Sequence, residues 1–158
     1  MTFKTKDKKL IGVTQKTTIE FGDGLKINDI KIDSPGEYEV SGVIVVVPVD
    51  NVYSIYTEDD LHVVYWCAQE AKLETKSDEL GDIDVLVLAI DSSVKTAANI
   101  TAVLNELEPG NVVLANANLK DEIRKAEQIT AENVETWKAM PISVTNNRKL
   151  ILLPCSKE

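Results

Sequence analysis

The stretch Leu80 to Ser93, LGDIDVLVLAIDSS, decides the fold class. Ile83 to Ile90 is mostly apolar and reads as a strand. Gly81 ahead of it suits a helix stop, and Asp91-Ser92-Ser93 behind it suits a helix cap. Val94, Ala97, Ala98, Thr101, Leu104 and Leu107 then recur at helical spacing until Pro109-Gly110. A second strand is predicted over Val112 to Ala115, followed by Asn116 to Asn118 and a helix from Leu119 to Gln128. This strand–helix–strand–helix order, with short connections, predicts that the two strands run parallel.

Working outward, the first half reads as strands. Val52 to Tyr56 and Leu61 to Trp66 flank Thr57-Glu58-Asp59-Asp60, the pattern of a β-hairpin. Val43 to Val47 is β-branched throughout and is expected to be buried on both faces. Gly42 separates it from the apolar positions Tyr38 and Val40, and Ser34-Pro35-Gly36 supplies a turn. Ile27, Ile30 and Ile32 alternate ahead of that turn, while Thr17 to Phe21 and Leu25 to Ile27 flank Gly22-Asp23-Gly24 as another hairpin. Ala71 to Leu80 is charged and helix-favouring. At the far end, Ile142 to Thr145 and Lys149 to Leu153 flank Asn146-Asn147-Arg148, again a hairpin pattern. No linker, repeat or low-complexity tract divides the chain, so residues 1–158 are read as a single α/β domain of layered sheet and helix.

Composition narrows the chemistry. The 158 residues are 44% hydrophobic, enough for one core, with a net charge of −9, one His and two Cys. The acidic balance argues against a nucleic-acid partner, because phosphate contacts need clustered Lys and Arg. The one basic cluster, Lys4, Lys6, Lys8 and Lys9, is read as a solvated tail. The start MTFKTKDKKLIGV has no signal-peptide run, and no stretch approaches the ~18 apolar residues of a membrane span, so a cytoplasmic protein without a membrane partner is expected. Cys67 and Cys155 form no disulfide framework and no zinc motif. Asn99-Ile100-Thr101 matches a glycosylation acceptor but is read as part of a helix.

The segments PGEYEVSGV (Pro35 to Val43), LGDIDVLVLAI (Leu80 to Ile90) and LEPGNVVLANAN (Leu107 to Asn118), in this order around a hairpin, resemble the metallo-β-lactamase-fold hydrolases. The branch with ascorbate phosphate lactonase-like proteins and other zinc-dependent hydrolases is the most similar. The resemblance spans roughly residues 27 to 153 and implies part of an αββα sandwich, shortened on its N-terminal side. In that family a His-x-His-x-Asp-His motif and later His and Asp residues hold two metals whose bridging hydroxide attacks the substrate. Residues 1–33 contain no His and are expected to be too few for the family's strands, motif loop and helix. The family's His-x-Gly-Asp corresponds to Tyr65, Trp66, Cys67 and Ala68, and its last His falls near Ala117. The resemblance therefore implies the scaffold without its metal ligands, and no cofactor is expected.

The remaining candidates are few. His62, alone as an imidazole, is read as a strand residue making an ordinary hydrogen bond. Cys67 is read as an inert thiol, since His62, five residues earlier on one strand, is about 16 Å away. Tyr53, Tyr65 and Trp66 are candidate binding residues in or beside the hairpin, forming either an aromatic core cluster or a platform. Asp91, at a strand end, is a candidate for binding a small ion. The expected function is that of a catalytically inactive binding or assembly module. An exposed sheet is expected to be covered by a second copy, with C2 geometry as the default, or by a protein partner. The alternative is a metal-dependent hydrolase of phosphodiesterase or lactonase type, with Mg²⁺ or Mn²⁺ on Asp82, Asp84 or Asp91.

Overall fold

The computed structural model describes residues 1–69, 73, 77–127, 130–142 and 148–156. Residues 2–32 form five strands: β1 (Thr2–Lys6), β2 (Lys9–Val13), β3 (Thr18–Gly22), β4 (Gly24–Ile27) and β5 (Ile30–Ile32). Each pairs antiparallel with the next. Two of the connections hold consecutive residues at positive φ, Asp7 at 52° with Lys8 at 65°, and Asn28 at 48° with Asp29 at 70°. Two left-handed residues in a row match the right-handed twist of flanking strands and make tight hairpins.

This corrects two expectations. The cluster Lys4, Lys6, Lys8 and Lys9 is not a tail: Lys4 and Lys6 lie in β1, Lys9 in β2 and Lys8 in the turn between them. The strand was hard to read because it has one large apolar residue, Phe3, among threonines and lysines. The shortage expected of residues 1–33, for strands, motif loop and helix together, does not extend to the strands, five of which form over residues 2–32. Hairpins with two-residue turns use the chain economically, and Ile27 and Ile30 prove to be cross-strand partners on either side of such a turn.

The chain continues through β6 (Gly36–Val40), β7 (Val43–Val49), β8 (Val52–Tyr56) and β9 (His62–Ala68), then α1 (Ser77–Leu80), β10 (Val85–Ile90) and α2 (Ala98–Leu107). After these come β11 (Asn111–Leu114), α3 (Lys120–Glu127), β12 (Thr130–Asn133), β13 (Thr136–Lys138) and β14 (Lys149–Leu152). Among the described residues there are two sheets, one ordered β13-β1-β2-β3-β4-β5 and the other β12-β14-β11-β10-β9-β8-β7-β6. The predicted hairpin around residues 57–60 forms, with Tyr53 opposite Tyr65. The predicted parallel pair also forms, as β10 lies between β9 and β11 and runs parallel to both.

Three layers result. Phe3, Leu10, Ile19, Phe21, Leu25 and Ile27 from the first sheet pack against Val43, Val45, Ile55, Val63 and Val87 from the second. The opposite face of the second sheet, with Val64, Trp66, Leu86 and Leu88, packs against Ile100, Leu104 and Leu107 of α2 and Ile123 of α3. Central strands β9 and β10 are thus apolar on both faces, whereas strands of the first sheet alternate. Gly110 enters β11 where a Cβ would stand 2.7 Å from the Asp84 carbonyl oxygen, so the backbones meet too closely for any side chain.

Other details differ from the sequence reading. Val43 to Val47 is not buried on both faces: Ile44 is 47% exposed, because no described helix covers this end of the second sheet. Asp91-Ser92-Ser93 makes a turn, in which the Ser93 amide donates to the Asp91 carboxylate (2.8 Å), and α2 begins only at Ala98, with no side-chain cap. Of the helix expected over Ala71 to Leu80, only Ser77–Leu80 is described as helix, and residues 70–72 and 74–76 lie outside the described residues. The terminal hairpin falls largely on residues 143–147, also outside them. In the sheet, both neighbours of β14 are parallel strands, β11 and β12. No helix of the described residues is long and apolar enough to cross a membrane.

Candidate functional site

In parallel sheets, ligand sites form beyond the carboxyl ends of the strands, where loops diverge and backbone amides point outward. Here a pocket of about 170 Å³ opens at that end, lined by Tyr65, Cys67, Ala68, Asp91, Asn116 and the Gly22-Asp23-Gly24 turn, among others. β9 contributes Tyr65, Cys67 and Ala68, Asp91 follows β10, and Asn116 follows β11. The turn between β3 and β4 reaches over from the first sheet. Tyr65 fixes it there, its hydroxyl donating to the Gly22 carbonyl at 2.7 Å.

Asp91 and Asn116 are held by backbone contacts. The Asp91 amide donates to the Ala68 carbonyl (2.9 Å), and the Ser93 amide and hydroxyl hold the Asp91 carboxyl below its ordinary range. The Asn116 side chain accepts from the Ile90 amide at 3.3 Å and donates to the Ile90 carbonyl at 3.0 Å. Asn118 donates to that same carbonyl at 2.7 Å. These bonds extend the β10–β11 pairing past the strand ends. Burial raises the Cys67 thiol, outweighing a lowering contact with Tyr65, and the charge of Asp23 raises it further. Burial likewise holds the Tyr65 phenol protonated, well above its ordinary range.

This set does not suit zinc. Thiolate, imidazole and carboxylate donors must converge on one point, and a protonated thiol is a poor ligand. Ala68, in the same lining, offers no donor. Among the described residues no group of three His, Cys, Asp or Glu side chains is placed to hold a metal ion. After β11 the pocket residue is Asn116, one position before Ala117. Asp82, Asp84 and Asp91 do not converge either: Asp84 precedes β10 and Asp91 follows it, so six strand residues, roughly 20 Å, lie between them. Asp84 is occupied structurally, accepting from the backbone amides of His62 (2.8 Å) and Ile142 (2.6 Å).

The aromatic candidates separate by face. Tyr53 and Tyr65 stack with ring centroids 5.7 Å apart in the inter-sheet core, and Phe21 meets Tyr65 edge-on at 5.2 Å. Trp66, one residue on, points to the helix side and is 2% exposed, so it does not share their site. His62 lies far from the pocket, at the amino end of β9. Its Nδ1 donates to the Asp82 carbonyl (2.7 Å), and Nε2 shares a hydrogen bond with the Ser54 hydroxyl (2.7 Å). Tyr56 stacks on the ring at 4.4 Å. Sequence reading missed Asp23, Asn51 and Asn116 as pocket residues. Their one signal, turn residues directly after strands, is common to ordinary loops.

Two facing sheets, with helices on the outer side of the mixed eight-stranded one and a pocket at the ends of its parallel strands, give a fold similar to that of a metallo-β-lactamase-superfamily structure. A crystal structure of a candidate Zn-dependent hydrolase of the metallo-β-lactamase superfamily, from Thermotoga maritima, matches with a TM-score of 0.70. The match covers 97% of this chain and 98% of that one at 14% identity, a likeness of fold. No protein-family model and no curated protein matches the sequence.

Proposed function

We propose that this domain keeps the metallo-β-lactamase scaffold as a binding and assembly module and does not carry out metal-dependent hydrolysis. The observation that carries the reading is the donor set at the strand ends: Tyr65, Cys67, Ala68, Asp91 and Asn116 line one pocket yet present no converging ligands. Asn116 spends its amide on the backbone of Ile90, and Cys67 is held as a thiol, so these side chains support the structure of the pocket floor. The test is metal analysis of the purified chain, together with phosphodiesterase and lactonase assays with and without chelator. The expected outcome is no stoichiometric zinc or iron and no chelator-sensitive turnover. Tightly bound metal accompanied by such turnover overturns the reading.

The assembly part is supported by the outer face of the second sheet. Glu39, Ile44, Tyr56 and His62 form one cross-strand row there, on which Ile44 is 47% and Tyr56 42% exposed. Adjacent apolar side chains left in water favour self-association, and a second copy in C2 geometry is the simplest cover. Light scattering during size exclusion is expected to show a dimer that Ile44→Lys dissociates. A monomer across the micromolar range refutes this part alone.

A further inference from the structure

Beside the strand-end pocket, and sharing the Asp23, Gly24 and Asn51 positions with it, lies a second cleft of about 370 Å³. Its walls come from the β4–β5 hairpin on one side and the β7–β8 turn on the other. Three carboxylates border it, Asp23, Asp33 and Asp50, together with one cation, Lys31. All four side chains are exposed, and none makes an ion pair or a side-chain hydrogen bond among the described residues.

An independent feature lies at the base of the cleft. Tyr53 is 6% exposed, and its hydroxyl has no hydrogen-bond partner among the described residues. Buried phenols ordinarily have one, so an orphaned hydroxyl calls for a cause. The ring is fixed by stacking on Tyr65, and the hydroxyl is directed at the cleft: a Cβ placed on Gly24 would lie 3.7 Å from it. That same point is 3.7 Å from Cε of Lys31, which also lines the cleft.

The charges choose the ligand. Three carboxylates against one ammonium favour a cation. The carboxylates are not gathered tightly enough to surround a single metal ion, since they belong to no metal-holding group among the described residues. Separated acceptors around a polar cleft instead suit separated donors. We propose that this cleft binds a small organic dication, two primary ammonium groups on a short aliphatic chain, held by Asp23, Asp33 and Asp50 with the Tyr53 hydroxyl accepting one ammonium N–H. Lys31 is then a built-in competitor that the ligand displaces from the cleft mouth. The cleft shares Asp23, Gly24 and Asn51 with the strand-end pocket, but Asp33, Asp50, Lys31 and Tyr53 line the cleft and not that pocket, so substitutions there test it independently of the hydrolysis question.

The test is isothermal titration calorimetry of the full chain with 1,4-diaminobutane at low salt, with butylamine and Mg²⁺ titrated in parallel. One saturable site for the diamine is expected, with butylamine at least roughly tenfold weaker because it satisfies fewer carboxylates. Tyr53→Phe retains the ring stacking and is expected to weaken binding roughly tenfold, the worth of a hydrogen bond to a charged group. Asp33→Asn with Asp50→Asn is expected to abolish it, whereas Lys31→Gln, by removing the competitor, is expected to tighten it about threefold or more. Asp121→Asn on α3 is the control and leaves binding unchanged. Circular dichroism checks that each variant is folded. Three results overturn the proposal: no saturable binding by unbranched diamines of two to six carbons, binding indifferent to Tyr53→Phe and to the aspartate pair, or Mg²⁺ binding with the same residue dependence.

Discussion

Replacing Asp84 separates a structural from a catalytic reading of the carboxylates beside β10. Its side chain is 8% exposed and accepts two backbone amides, His62 at 2.8 Å and Ile142 at 2.6 Å. The first ties the start of β9 to β10, and the second anchors the chain after β13 to the same corner. A hydrogen bond to a charged acceptor contributes about 1.5–3 kcal/mol, and a buried amide left without an acceptor costs a similar amount. Asp84→Ala orphans both amides, so the expected loss is about 3–5 kcal/mol. Asp84→Asn keeps one acceptor oxygen and turns an NH₂ towards the other amide, for an expected loss of about 1.5–3 kcal/mol. With a urea m-value of about 2 kcal/mol/M, the alanine variant moves the unfolding midpoint down by about 1.5–2.5 M and the asparagine variant by about half as much. Far-UV circular dichroism against urea reads both. An alanine variant within about 1 kcal/mol of the parent refutes the double-acceptor argument. Loss of a Mg²⁺- or Mn²⁺-dependent activity at unchanged stability would instead restore Asp84 as a metal ligand.

Two further predictions rest on protonation. Cys67 is raised above the ordinary thiol value of 9.0, chiefly by burial, so in a Cys155→Ser background iodoacetamide labelling is expected to be slow at pH 7–8 and to accelerate only above pH 9. Full labelling at pH 7 at the rate of a free thiol contradicts the buried-thiol assignment. Glu58 opposes the raising effect of burial with hydrogen bonds from Thr14, the Lys16 amide and Thr17, which set its carboxyl below 4.5. Asp59 overcomes the same burial effect through the amino group of Met1 and the Thr57 hydroxyl, and lies below 3.8. A depressed folded value means stability present above the unfolded value and lost as pH falls through the folded one. The urea midpoint is therefore expected to hold above about pH 5 and to fall towards pH 3, with a shallower fall in Glu58→Gln. An equally steep fall in that variant counts against Glu58 as a contributor.

The sequence by itself determined the centre of this protein. The apolar run before Asp91, the helical spacing after it and the apolar strand over 112–114 are local signals, and they led directly to parallel β10 and β11 with α2 packed beside them. The hairpin around residues 57–60 was equally legible, because a polar turn between two apolar strands leaves few other arrangements. The absence of His from residues 1–33 is a matter of composition and needs no coordinates. Strands β1 and β2 were not legible, since a half-buried strand with one large apolar residue among lysines looks like a solvated segment until Phe21 and Trp137 are seen packed on Phe3.

The roles of the polar residues were decided only in three dimensions. Asp84 and Asp91 are close in sequence and alike in chemistry, but the strand between them puts one at a buried corner and the other at an exposed turn. Tyr53, Tyr65 and Trp66 read as one aromatic group, and strand alternation sends Trp66 to the opposite face. Asp23, Asp33 and Asp50 lie in three separate connections of the chain. They border one cleft because the first sheet folds across the second, a contact between segments far apart in the chain that no local pattern encodes.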